Sequence, residues 1–330
     1  MRTTFFSLFV ALILVGPAAL WGQSEKPQPS ARLQTREIPA DRQGSRDHSI
    51  TIFDLKRRAQ AGDPAAQSKL ALAYALGEVV EQSYTKAFVL FSAAAAKGYA
   101  PAERNLGDLY QFGKGVRRDQ AEANRWYRAA ADQGDAPGQC KLGNSYHFGI
   151  GMPQDDGEAA KWYGKSAEQG YAVAENNLGS LYQFGQGVEQ DYERAAFWYR
   201  RAAEHGLADA SSNLGLMYKY GQGVERNYEQ AATLFGVAAA HGSSRGQLNL
   251  ALMYYLGRGV PLDYVQAYAW FSRAAAGGEK WGKRGMEEVA SVMTPRQKKA
   301  AEELLAGRLE ARPTDEEARA GTEAGGERRE

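Results

Sequence analysis

The residues able to do chemistry in this chain are few, and their spacing argues against catalysis. One cysteine, Cys140, and four histidines, His48, His147, His205 and His241, are the groups that could supply a nucleophile or a soft metal ligand. No Gly-x-Ser-x-Gly, Cys-x-x-Cys or His-Glu-x-x-His occurs, so the common nucleophile and zinc arrangements are missing. No motif around Cys140 supports a catalytic thiol, and the plain reading is a partly buried free cysteine. Gly149-Ile150-Gly151 resembles part of a phosphate loop, but a dinucleotide fingerprint needs a preceding strand and a third glycine. Here Gly-x-Gly reads as a turn between helices. Asp155-Asp156 lacks calcium-loop spacing and reads as a helix cap and its neighbour. His205 and His241 could face each other across adjacent units, but further metal ligands are missing. The other reading makes them cations near helix C-termini. These observations predict no enzyme activity, no cofactor, no metal and no catalytic residue.

Composition narrows the partner class. Forty Lys and Arg against 39 Asp and Glu leave a net charge of +1 in 330 residues, so no global field favours nucleic acid. A single cysteine excludes an intramolecular disulfide. Residues 1–22 read as a secretory signal peptide: a charged start at Arg2, an apolar run from Phe5 to Val15, then Gly16, Pro17, Ala18 and Ala19. Export to a periplasm or beyond follows, with signal anchoring to the inner membrane as the alternative. No later segment is apolar for long enough to span a bilayer.

The elements that position these side chains emerge when the chain is laid over itself at a 36-residue offset. Leu70, Leu106, Leu142, Leu178, Leu214 and Leu250 share a column, as do Tyr74, Tyr110, Tyr146, Tyr182, Tyr218 and Tyr254. Ala102, Leu106 and Tyr110 lie four apart, which stacks them on one face of a first helix. Gly113 ends that helix, Gly115 and Val116 complete the turn, and Asp119 caps a second helix bearing Ala123, Trp126, Tyr127, Ala130 and Ala131. Trp126, Trp162, Trp198 and Trp270 recur at that period, which marks packing rather than base stacking. A helix pair of this size has too little surface for its own core and must bury one face against the next pair.

The pattern A-x-x-x-L-G-x-x-Y-x-x-G-x-G-V-x-x-D-x-x-x-A-x-x-W-Y-x-x-A-A-x-x-G resembles the Sel-one-like repeat family, relatives of tetratricopeptide repeats. Ala174 to Gly206 matches it at every fixed position. The first unit departs most: Val79 replaces the second turn glycine, and Leu90-Phe91 replaces Trp-Tyr. The resemblance implies an all-α fold, a right-handed α/α superhelix (solenoid) of six 36-residue helix-turn-helix repeats that assembles protein complexes. The expected organisation is a signal peptide (1–22), a disordered linker (23–48), an N-terminal capping helix (49–61), six repeats (62–278), C-terminal capping helices (279–310) and a disordered tail (311–330).

In such arrays the first helices line the concave surface, so their side chains are the candidate partner contacts. One column holds Asn105, Asn177, Asn213 and Asn249, with Lys69 and Lys141 in the other units. Its amides either hydrogen-bond an extended peptide or orient the helices internally. Two variable columns hold Asp108, Asn144, Ser180, Leu216 and Leu252, and Gln111, His147, Gln183, Lys219 and Tyr255. They run from polar to apolar toward the C-terminal end. The reading is an exported scaffold or adaptor that binds a protein or peptide on the concave face. The alternative is a cell-envelope hydrolase or modulator related to secreted family members.

Overall fold

The computed structural model describes residues 52–307, which form fifteen helices and, among the described residues, no strand. The expected signal peptide, linker and tail lie outside the described residues. Two compact units are present. The first contains α1 (Ile52–Gln60), α2 (Pro64–Leu76), α3 (Tyr84–Ala95), α4 (Ala100–Phe112) and α5 (Gln120–Asp132). The second contains most of α6 (Ala136–Phe148), then α7 (Asp156–Glu168), α8 (Ala172–Phe184), α9 (Tyr192–Glu204), α10 (Ala208–Tyr220), α11 (Tyr228–Ala240), α12 (Ser244–Leu256), α13 (Tyr264–Ala276), α14 (Lys280–Val292) and α15 (Pro295–Leu305). Within each unit consecutive helices pack on one another, the layered arrangement of an all-α solenoid.

Each repeat closes by the same local chemistry. The first helix ends on a glycine in the left-handed region, such as Gly113 at φ 67° or Gly221 at φ 70°. The second helix starts on a side-chain cap. Asp119, Asp155 and Asp191 accept the backbone N–H three residues on at 2.9–3.0 Å, Asn227 does so at 3.0 Å, and Ser83 at 3.3 Å. The N–H of each capping residue then donates to the carbonyl of the conserved-column tyrosine, as from Asp119 to Tyr110 at 3.0 Å and from Asp191 to Tyr182 at 2.9 Å. The turn is therefore pinned at both ends by groups that would otherwise be orphaned at helix termini.

The core of each unit is alanine, leucine and one aromatic ring per repeat. In the first unit Ala71, Ala75, Ala87, Phe91, Ala94, Ala102, Leu106 and Leu109 are buried together, with Tyr74, Tyr110 and Trp126 packed at the margin. In the second unit Cys140 joins Ala159, Tyr163, Ala167, Ala174, Leu178 and Leu181. The tryptophans are the less buried aromatic column: Trp162 is buried, whereas Trp126 and Trp198 are half-buried. Full burial belongs to the next residue in each second helix: Phe91, Tyr127, Tyr163, Tyr199, Phe235 and Phe271.

The first repeat shows what the second turn glycine is for. In the later repeats a Cβ there would stand 2.1–2.8 Å from backbone or Cβ atoms at the start of the preceding repeat's second helix, as Gly187 against Asp156 or Gly259 against Tyr228. Val79 occupies this position at φ 65° and is 82% exposed, so its side chain meets no such wall. What remains is the intrinsic penalty of a β-branched residue in the left-handed region. Val79→Gly should therefore raise stability by about 1 kcal/mol, the backbone relief being partly offset by glycine's freedom in the unfolded chain. Urea unfolding of the two proteins side by side measures it.

Candidate partner-binding face of the first helices

The polar side chains of the first helices prove to be matched to the buried ring beside them. The Tyr127 hydroxyl lies 2.6 Å from both Asp108 Oδ1 and Gln111 Oε1. The Tyr163 hydroxyl donates to Asn144 Oδ1 at 2.6 Å. Tyr199 donates to Gln183 Oε1 at 2.8 Å, and Ser180 also hydrogen-bonds it. Where the ring is Phe235 or Phe271, the neighbouring first helix carries Leu216 or Leu252 instead, both buried. A buried phenol must find a partner, and a buried phenyl must not face one. Burial pushes the Tyr127, Tyr163 and Tyr199 phenols up, so all three remain neutral donors, and the Asp108 carboxylate adds to the effect at Tyr127. The rings also explain the glycine after each column leucine: a Cβ on Gly107, Gly143 or Gly215 would come within 2.6–2.7 Å of Tyr127, Tyr163 or Phe235.

The asparagine column divides. Asn177 donates to Asn144 Oδ1 of the preceding repeat at 3.2 Å, and Asn213 donates to Asn176 Oδ1 at 2.9 Å, so these amides tie adjacent first helices together. Asn249 donates back to Arg245 O within its own helix at 3.0 Å. Asn105 and Lys141 are half-buried. His147 places Nδ1 2.6 Å from Asp156 Oδ1, at the first turn of α7. The structure thus brings most of these candidates into internal contacts, and leaves Asn105, Lys141, Asn144, His147, Asn177 and Ser180 partly accessible.

The groups with chemical potential elsewhere are occupied structurally. His205 caps the end of α9 with Nδ1 2.8 Å from Glu175 Oε2, and Arg201 Nε lies 3.0 Å from the other oxygen of that fully buried carboxylate. His241 caps α11 with Nδ1 2.9 Å from Val237 O. The two histidines therefore serve their own repeats rather than each other. Burial pushes the Cys140 thiol up to about 12, which keeps it protonated and unreactive. Among the described residues no group of three or more His, Cys, Asp or Glu could hold a metal ion.

Lys219 is the exception to this internal pairing. It is 5% exposed, near the end of α10, and burial pulls its ammonium down to about 8, with Arg258 adding repulsion. Sequence placed Lys219 in the variable column, but its burial follows from packing that a single column cannot show. A lysine held at about 8 when folded and about 10.4 when unfolded binds fewer protons in the native state between those values, so stability rises as pH climbs through that window. Below it the charge is carried at a cost. Lys219→Met should stabilise the protein by roughly 1–3 kcal/mol at neutral pH and flatten the rise between about pH 8 and 10. Denaturation midpoints across that range measure both effects.

Comparison with known proteins identifies the repeat. The Sel1 repeat pattern matches residues 64–99, 100–135, 136–171, 172–207, 208–243 and 244–279. A protective antigen of uropathogenic Escherichia coli displaying an SLR fold is 36% identical over 79% of this chain, with a TM-score of 0.67; the chain spans 57% of that antigen's length. A Sel1 repeat protein from Oxalobacter formigenes is 32% identical over 72% of this chain and 69% of its own, with a TM-score of 0.64. No curated protein matches the chain. No helix among the described residues is long and apolar enough to cross a membrane. Six tandem matches, on helix pairs that pack as the sequence columns require, place this chain in the Sel1 repeat family.

Proposed function

We propose that the protein is an exported scaffold or adaptor that holds a protein or peptide partner on its first helices. Sel1 repeat proteins are generally protein-interaction scaffolds, which gives the class. The observation that carries the reading is the division of labour within each repeat. Ring, alanine and leucine columns are consumed by packing, while the polar positions Asn105, Asn144, His147, Asn177 and Ser180 stay half-buried on the first helices. Half-buried amides and hydroxyls held in place by neighbours are pre-ordered contacts, so binding there costs little side-chain entropy. Asp108, Gln111, Lys141, Gln183, Asn213, Lys219 and Asn249 shape the same face from beneath. Export rests on the apolar N-terminal run, with signal anchoring to the membrane as the other outcome.

Photo-crosslinking separates this face from the rest of the surface. A crosslinker at Ser180 should capture one defined partner in cell-envelope material, and the same group at the exposed Phe197 of α9 should not. Equal capture from both positions would remove the first helices as the docking face. Turnover of peptidoglycan fragments or β-lactams by the purified protein would replace the scaffold reading with a hydrolase.

A further inference from the structure

In the fifth and sixth repeats two buried polar groups are left without the partner that comparable groups have elsewhere. Lys219 makes no hydrogen bond or ion pair; its ammonium lies 5.2 Å from the Tyr220 ring centre, and the charge acting on it is that of Arg258, another cation. One repeat further on in the same column, the Tyr255 hydroxyl is buried with no hydrogen-bond partner. Arg258 stands 5.5 Å from the centre of the Tyr228 ring, and Arg226 approaches that same ring at 5.8 Å. Glu225 and Glu229, the acidic residues beside them in sequence, are exposed, and no carboxylate pulls Lys219 back toward its ordinary range. Helices α10 and α12 pack together, so Lys219 and Tyr255 share one face. One turn back on that face lie Leu216 and Leu252, both buried.

A buried ammonium repelled by a guanidinium is costly, and evolution of the interior toward apolar residues would remove it. The cost is offset if an anion completes the site. We propose that Lys219, Arg258 and Tyr255 form a carboxylate-binding subsite on the first-helix face, which takes an acidic group of a peptide partner whose adjacent apolar side chain rests toward Leu216 and Leu252. The ammonium and guanidinium supply charge-assisted donors, and the phenol supplies a third. This subsite rests on the peptide-binding reading above and gives it a ligand chemistry.

The test titrates the isotope-labelled full chain with three probes followed by amide chemical shifts. They are N-acetyl-leucyl-glycine with a free terminal carboxylate, the corresponding amide, and N-acetyl-leucyl-glutamate amide, which carries its carboxylate on the side chain. Either carboxylate probe should shift the amides around Gly221 and Arg258, and the neutral amide should not. Loss of one charge-assisted contact weakens binding about tenfold or more, so Lys219→Met should bind the carboxylate probes at least that much more weakly and Arg258→Gln should weaken them as well. Comparison of the two carboxylate probes tells a chain terminus from an acidic side chain. Equal response to the acid and the amide, no response near Gly221, or unchanged affinity in Lys219→Met overturns the subsite. Crosslinking at Ser180 that persists in Lys219→Met would show that the scaffold reading survives such a failure.

Discussion

Replacement of Tyr199 by alanine should cost about 3–5 kcal/mol, the range for removing a fully buried aromatic side chain. The ring is 1% exposed, lies over Gly179, and delivers its hydroxyl proton to Gln183 Oε1. Alanine leaves a cavity between α8 and α9 and an unpaired amide oxygen in an apolar setting. Tyr199→Phe separates the two losses: it keeps the ring and should cost roughly 1–3 kcal/mol through Gln183 alone. The double change Tyr199→Phe with Gln183→Leu should recover much of that cost, because it recreates the type of pairing seen between Phe235 and Leu216. Phe197, two residues earlier and half exposed, is the control, with an expected effect within about 0.5 kcal/mol on truncation. Denaturant unfolding followed by tryptophan fluorescence, with amide exchange to localise the loss, would check each value. An array of repeats unfolds in segments, so exchange should show the damage concentrated in the fourth repeat and its neighbours.

Gly223→Ala should be comparably severe, and for a different reason. At φ 65° any side chain pays about 1–2 kcal/mol for the left-handed backbone. A Cβ there also lands 2.2 Å from the carbonyl carbon and oxygen of Tyr192, at the start of α9, and neither is the end of a flexible side chain. Displacing them repacks the contact between two repeats, which adds roughly 1–3 kcal/mol. Gly206→Ala isolates the first term: its φ is 83°, yet nothing lies within 4 Å of the added carbon. The difference between the two variants in one urea series measures the steric part. Near-equal losses would mean that α9 yields freely at Tyr192.

Much of this was readable in the sequence because a repeat writes its packing rules several times over. The leucine, alanine and glycine columns, the Asp caps and the helix ends follow from spacing, and the cap distances agree with that reading. The covariation of ring and neighbour was also on the page: Tyr127, Tyr163 and Tyr199 accompany Asp108, Asn144 and Ser180, whereas Phe235 and Phe271 accompany Leu216 and Leu252. Column-by-column reading took the polar members for partner contacts because it compared repeats at one position, not two positions within a repeat. Tryptophan and tyrosine columns carried equal weight for a similar reason. Adjacent residues on a helix differ by about 100° in direction, and only the packed structure shows which of them points inward. The burial of Lys219 was beyond reach, since a long stem can lie over apolar surface or leave it without changing the pattern.

The glycine contact at each repeat boundary also gives the array a direction of growth. A further unit inserted between the fourth and fifth repeats would find a bare glycine backbone waiting for its second helix. One fused upstream of the first repeat would meet the isopropyl group of Val79. Lengthening the protein from that end thus requires a valine codon to change first, and a library of duplicated units should return that substitution wherever the extension folds.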